Sequence, residues 1–243
     1  MNPAMKLLRQ IMLTSLVLLA AAWASAEAAQ WLLRSRAEHL LADIRSLDVN
    51  RSTWSDAQQV MKKWGRWNAS AGSCTEIACD YRINIIQTLP SVLVGNPTKG
   101  ANNWLPNLVD RLGLRSAAAR GGFTIDHGIV ITKWFGEQVT LPVRDWDQPT
   151  DYIPYLSIAS DQSAKYFLHT AGRKLLHPNR VVWVYRSDME VSFSPDEIPA
   201  EQSLLMDFRF TCITRLRPCE NQGEILPEGL RMLQEQELSA PSR

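Results

Sequence analysis

The N-terminal part of the chain carries the feature that most limits its fold, an apolar run from Ile11 to Leu33 with Glu27 as its only charge. A helix rises about 1.5 Å per residue, so this run is long enough to cross the roughly 30 Å hydrocarbon core of a bilayer. We therefore predict a membrane span from Ile11 to Leu33 that tethers the rest of the chain.

A secretory signal peptide is the alternative interpretation of the same run. Lys6 and Arg9 supply a basic start, and Ala24-Ser25-Ala26 and Ala26-Glu27-Ala28 both have the small-x-small pattern of a cleavage site. We favour the retained span because apolar residues continue at helical spacing beyond it, as in an amphipathic helix. They are Leu33, Ala37, Leu40, Leu41, Ile44 and Leu47. Either interpretation sends the rest of the chain out of the cytoplasm.

Four cysteines bear on the compartment, and they stand as two close pairs, Cys74 with Cys79 and Cys212 with Cys219. Two local disulfides are the simplest pairing, because exported chains favour disulfides and each pair flanks a loop. Free thiols and a four-cysteine zinc site are the alternatives, but zinc ligand pairs usually have two to four intervening residues. The cysteines decide the topology, because basic residues flank both sides of the apolar run and leave the positive-inside bias unsatisfied.

A capped helix follows the N-terminal segment. Thr53 with Asp56 three residues later predicts its start, and apolar residues at three-and-four spacing carry it to about Trp64. Gly65 is expected to end it in the left-handed conformation. Further along, apolar residues alternate with more polar ones, which predicts a strand with one buried face. The apolar members are Tyr81, Ile83 and Ile85.

The remaining chain is rich in strand and turn patterns. We predict a short helix over residues 104–112 and a helix starting at Pro227. We predict turns at Gly121-Gly122 and Gly136, and a long strand or a hairpin bent at Gly128. The other predicted strands are Gln138–Val143, Tyr152–Ala159, Ala164–Thr170, Val181–Arg186 and Leu204–Ile213, with a loop over Ser192–Gln202.

These elements predict an α+β chain. It comprises an N-terminal anchor or signal helix, juxtamembrane helices, a largely antiparallel β-sheet or sandwich, and a C-terminal helix. We divide it into a signal anchor or signal peptide at residues 1–33, a juxtamembrane helical region at 34–66 and a strand-rich extracytoplasmic domain at 67–243. The formal net charge of +1 offers no field that would recruit nucleic acid.

The sequence contains no catalytic or cofactor motif with the spacing that its chemistry needs. The four histidines are His39, His127, His169 and His177, and no two have a short metal-ligand spacing. Asp126 and His127 are neighbours, and on a strand they would point to opposite faces and could not orient each other. The acids around Trp146 lack the rest of a calcium-binding loop. They are Asp145, Asp147 and Asp151.

The segments RAEHLLADIRSL (Arg36–Leu47) and STWSDAQQVMKKWG (Ser52–Gly65), directly after a hydrophobic N-terminus, carry a resemblance. With the late cysteine pair and Ile225-Leu226-Pro227, they make the chain similar to a group of bacterial proteins without an assigned activity. In that group, a single N-terminal span precedes a helix pair and a strand-rich domain. The resemblance therefore implies placement at a membrane and no particular chemistry.

The function we expect is a membrane-anchored extracytoplasmic domain that is non-enzymatic, with a binding or structural role. Its partners would be the membrane, through the N-terminal helix, and an envelope protein, lipid or glycan, with no nucleic acid and no cofactor. One alternative is an exported hydrolase or metal-binding enzyme that uses Asp126, His127 or His169. Another is a carbohydrate-binding module with Trp134 and Trp146 as stacking platforms.

Overall fold

The structure is a computed structural model that describes residues 3–70, 73–87, 108, 112–141, 155–163, 179–185, 187–217 and 219–239. Its helices are α1 (Pro3–Arg45), α2 (Trp54–Trp64), α3 (Pro199–Leu205), α4 (Thr211–Thr214) and α5 (Pro227–Ser239). Its strands are β1 (Ala78–Gln87), β2 (Ala117–Asp126), β3 (Ile129–Thr140), β4 (Tyr155–Ser163), β5 (Arg180–Tyr185) and β6 (Asp188–Phe193). The predicted helix over residues 104–112 and the predicted strand Ala164–Thr170 lie outside the described residues, apart from Leu108 and Leu112.

The six strands form one sheet in the order β1-β2-β3-β4-β6-β5. Neighbouring strands are antiparallel, except that β4 and β6 are parallel. Together with the long apolar N-terminal helix and the short C-terminal helices, this sheet confirms the predicted α+β fold and its largely antiparallel character. The predicted start of the last helix at Pro227 is also confirmed.

Helix α1 packs on one face of the sheet, which we call the helix-covered face. Its buried residues are Ala26, Gln30, Leu33, Ala37, Leu40, Leu41 and Ile44. The predicted turn at Gly121-Gly122 is wrong, because both glycines lie inside β2. A Cβ on Gly121 would stand 3.2 Å from Ile44 and 3.4 Å from Leu40, so the glycine lets the helix approach the strand closely.

Helix α2 begins as predicted at its N-terminal cap. The Thr53 amide donates to the Asp56 carboxylate over 2.7 Å, which satisfies one of the free amides of the first turn. The predicted left-handed end at Gly65 is wrong, since Gly65 has φ −53° and the chain continues into a 3-10 turn over Gly65–Trp67. The helix nevertheless ends near Trp64, where the tighter turn replaces the α-helical one.

The hairpin alternative for the region around Gly128 is the one observed. β2 and β3 pair through a turn at His127 and Gly128, which have φ 49° and 82°. The predicted turn at Gly136 and a separate return strand Gln138–Val143 are wrong, because β3 continues from Ile129 to Thr140. Gly136 lies within β3, where a Cβ would stand 3.1 Å from the Ile158 carbonyl oxygen.

The predicted last strand, Leu204–Ile213, is wrong, as is most of the predicted loop Ser192–Gln202. β6 ends at Phe193, α3 begins at Pro199, and α4 follows an irregular segment. The apolar alternation that resembled a strand instead places Phe208 and Phe210 edge-on to Phe135 of β3, with ring centroids 4.9 and 5.7 Å away. This segment covers the sheet without forming a strand, so its buried backbone groups need other hydrogen-bond partners. The Ser160 hydroxyl of β4 donates to the Leu205 carbonyl at 2.6 Å.

Candidate functional site

Helix α1 changes its environment within the predicted span Ile11–Leu33. Every side chain from Met5 to Ser25 is exposed, and Ala26 is the first buried residue, with 1% exposure. By length and composition this helix could cross a membrane, a test that a signal sequence also passes. The predicted span therefore contains a part whose side chains are all exposed and a part, after Ser25, that packs on the domain.

A set of buried polar contacts holds α1 where it enters the domain. The amide of Gln30, 1% exposed, donates to the carbonyl oxygens of Gly113 at 2.9 Å and Arg115 at 3.3 Å. The guanidinium of Arg115, 2% exposed, donates to the carbonyls of Arg215 at 2.5 Å and Leu216 at 2.7 Å. Three separate chain segments are thereby joined at one end of the sheet.

The opposite end of α1 is capped by a buried lysine from β3. The ammonium of Lys133 donates to the carbonyl of Arg45 at 3.2 Å and to that of Leu47. A cation at a helix C-terminus faces the negative end of the helix dipole. Burial lowers the pKa of Lys133 to about 8, while the nearby Asp48 acts in the opposite direction.

Glu137 of β3 is buried beneath α1 with 1% exposure, and neither of its carboxylate oxygens has a hydrogen-bond partner among the described residues. Burial raises the pKa of the Glu137 carboxyl well above its usual range, and the positive charge of Arg34 on α1 opposes that shift. Arg34 itself pairs with Glu38 at 2.8 Å and donates to the Thr214 hydroxyl at 3.2 Å. Burial therefore favours the protonated form of this carboxyl.

The other face of the sheet carries polar side chains around Trp134, and we call it the polar face. Trp134 pairs with Gly122 on one side and Asp161 on the other, and a Cβ at Gly122 would stand 2.8 Å from the indole nitrogen. The Ser192 hydroxyl donates to Asp161. Burial raises the pKa of Asp161 to about 6, the Ser192 hydrogen bond lowers it, and Glu190 raises it further.

The structure corrects one prediction about the candidate enzyme residues. His127 lies in a turn and not on a strand, so its Nδ1 does reach Asp126, at 2.7 Å from Oδ1. The His127 side chain is 83% exposed, however, and no group of metal-ligating side chains forms within the described residues. His39 is exposed on α1. The other candidates fall outside the described residues, namely His169, His177, Trp146, Asp145, Asp147 and Asp151.

The cysteines pair locally. Cys74 is bonded to Cys79 with a Cα–Cα distance of 4.4 Å, and Cys212 is bonded to Cys219 with 5.6 Å. Cys212 and Cys219 are both buried, so the second disulfide lies within the core beside α4. The first disulfide holds the loop that leads into β1.

Sequence reasoning missed Gln30, Arg115 and Glu137, the buried polar groups beneath and beside α1. One signal was present for Glu137, because it alternates with Phe135 and Val139 and therefore belongs to the buried face of β3. The assumed turn at Gly136 concealed that alternation. Comparison with protein-family models, with curated proteins and with solved structures finds no match to this chain.

Proposed function

We propose that the protein is a single-pass membrane protein whose sheet domain lies outside the cytoplasm and has a non-enzymatic binding or structural role. The observation that carries the proposal is the division of α1 at Ser25. The helix is exposed from Met5 to Ser25, with Lys6 and Arg9 in its first turns and only uncharged residues after them, and it then packs on the domain without a break. An anchor of this kind is built into the fold and fixes the domain close to the membrane.

Retention of the helix is favoured over cleavage by what lies around the two small-x-small sites. α1 runs through both sites as one continuous helix. Ala26, which is common to the two sites, is 1% exposed, and the next turn contributes the buried Gln30. Cleavage after Ala26 or after Ala28 would remove the buried Ala26 from its place against the domain.

The two disulfides support delivery to an oxidising compartment, because cytosolic thiols are kept reduced. The net charge of +1 gives no support to a nucleic-acid partner, so we propose a partner among envelope proteins, lipids or glycans. The described residues do not support the alternative of an exported hydrolase or metal-binding enzyme. Among them, the exposed His127 contacts Asp126, and no third histidine, cysteine or acid joins this pair to form a metal site.

A matched pair of chains tests the anchor. Ala24 and Ala28 are both exposed. Ala24 is the first small residue of the site Ala24-Ser25-Ala26, and Ala28 is the last small residue of the site Ala26-Glu27-Ala28. The double variant Ala24→Leu, Ala28→Leu therefore blocks both sites without entering the core. We expect the wild type and the variant to have the same length and to resist alkaline extraction from membranes. A shorter, soluble wild type beside a longer variant would contradict the proposal.

A C-terminal reporter tests the side of the membrane. Alkaline phosphatase fused after Arg243 is active only where its own disulfides form, so we expect an active fusion. A fusion partner that is active only in the cytoplasm provides the opposite readout, and activity from that partner would place the domain on the inner side.

Trp134 supports a second candidate function, that of a glycan-binding surface. Its indole lies over Gly122 at the centre of the polar face, beside the carboxylate of Asp161. An aromatic ring beside a hydrogen-bonding carboxylate is an arrangement that can stack on a sugar. The test is tryptophan fluorescence over a glycan panel with Trp134→Phe as the control. Identical responses from the two chains would reject Trp134 as the platform.

A further inference from the structure

The exposed part of α1 is short for a membrane span once its charges are considered. Lys6 and Arg9 need the headgroup layer, which leaves the uncharged exposed residues 10–25 for the hydrocarbon core. At roughly 1.5 Å per residue these measure about 24 Å, against a core of about 30 Å. The shortfall is about one helical turn, and the next turn of α1, which begins at Ala26, is already in contact with the domain.

Exposed apolar side chains lie at the end of the domain at this level. The indole nitrogen of Trp23 donates to the Leu112 carbonyl at 3.4 Å, which places Leu112 beside the last exposed turns of the helix. The Leu112 amide donates to the Leu108 carbonyl at 3.0 Å, which holds these two leucines close together. Trp23, Leu108 and Leu112 are each 44% exposed.

Leu216 adds a fourth apolar side chain from a distant part of the chain. It is 60% exposed and packs against Gly113, because a Cβ added at Gly113 would stand 3.1 Å from the Leu216 side chain. The buried guanidinium of Arg115 fixes the Leu216 carbonyl, so the position of this loop relative to α1 is set by the core. We call these four residues the apolar rim, namely Trp23, Leu108, Leu112 and Leu216.

We propose that the apolar rim is a lipid-binding surface that inserts into the interface of the bilayer that α1 spans. The inference rests on the proposed function, since it requires the helix to be retained. Three observations point to lipid as the occupant: the rim is continuous with the span, it lies at the depth where the span falls short, and it carries a tryptophan of the type that membrane interfaces favour. The domain is then seated on the membrane in one orientation.

Depth-dependent quenching in vesicles tests the rim with the full chain. All four native cysteines are in disulfides, so a single introduced thiol carries an environment-sensitive fluorophore. The rim position is Leu112→Cys. The span position is Val17→Cys, and the control is Ile198→Cys, which is 64% exposed and follows the end of β6 distant from the rim. Phosphatidylcholine vesicles contain lipids with a quencher either high or low on the acyl chain.

We expect the emission from position 112 to be blue-shifted and to be quenched mainly by the quencher placed high on the acyl chain. The emission from position 17 should be quenched mainly by the quencher placed low on the chain. The emission from position 198 should be quenched by neither. Quenching at 17 with none at 112 would overturn the rim and leave the anchor intact. An absence of quenching at 17 would overturn the anchor as well. Equal quenching at 112 and 198 would also reject the rim, because the domain would then lie on the membrane without the proposed orientation.

Discussion

Glu137 allows the packing of α1 on the sheet to be tested by stability. Within the part of the chain that the structure describes, its buried carboxyl has no hydrogen-bond partner, and its folded-state pKa is raised well above the ordinary value of 4.5. In the pH range between these two pKa values the folded chain holds a proton that the unfolded chain has lost. The free energy of unfolding therefore falls as the pH rises through this range, by roughly 1.4 kcal/mol per pH unit.

We expect Glu137→Gln to remove this pH dependence, because the amide does not titrate. Between the two pKa values, the melting temperature of the wild type should fall relative to that of the variant by about 3–6 °C per pH unit, since 1 kcal/mol is roughly 2–4 °C for a domain of this size. Glu137→Leu also removes the unpartnered polar atoms and should raise the stability at pH 7 by about 1–3 kcal/mol.

The assay is thermal unfolding of the full chain in mild detergent, followed by circular dichroism from pH 5 to pH 7. Glu76→Gln is the matched control, because Glu76 is exposed and should leave the pH profile unchanged. Parallel profiles of the wild type and Glu137→Gln would refute the argument, because they would mean that the carboxyl is solvated or paired in the folded chain.

Three further predictions concern the sheet and the disulfides. Gly122→Ala should lower the stability by about 1–3 kcal/mol in thermal unfolding, because its Cβ would clash with the Tyr81 carbonyl oxygen and the backbone must shift. Replacement of Cys212 and Cys219 by serine should cost about 2–3 kcal/mol in the same measurement. Reductant should then lower the stability of this variant only through the remaining Cys74–Cys79 disulfide. The raised pKa of Asp161 means that the folded chain binds one more proton than the unfolded chain between about pH 4 and pH 6, so the unfolding free energy of the wild type declines as the pH rises through that range. Asp161→Asn should remove this decline, and a pH titration of stability that the substitution leaves unchanged would contradict the argument.

The elements with strong local signals could be predicted from the sequence. The Thr53 and Asp56 cap defined the start of α2, and the alternation of Tyr81 and Ile83 defined β1. These signals depend on neighbours in the chain, and so a single sequence contains them. The spacing of the apolar residues likewise indicated that one helix continues from the N-terminal apolar run into the domain, as α1 does.

The elements that failed depend on what packs against them. Gly121 and Gly136 look like turn residues, but they lie in strands because a helix or a neighbouring strand approaches closely. The alternation around Phe208 and Phe210 reflects a segment that covers the sheet, where hydrogen-bond partners come from side chains such as Ser160. No local pattern contains the identity of a distant neighbour.

The candidate site was predictable only in part. The long apolar helix and the cysteine pairs are visible in the sequence, whereas the apolar rim joins Trp23, Leu112 and Leu216 from three distant segments. The contact between Asp126 and His127 was missed because a positive φ at His127 turns the side chain away from strand geometry. Sites assembled by tertiary contacts require the fold before they can be recognised.

The mass of the intact protein, extracted from membranes and alkylated without reductant, tests the central claim most directly. Retention of α1 and two disulfides together predict the full 243-residue chain of 27.5 kDa without any alkyl group on its cysteines. A chain that begins after Ala26 or Ala28, or one that carries alkyl groups, would contradict the account of a disulfide-bonded domain held at the membrane by its own N-terminal helix.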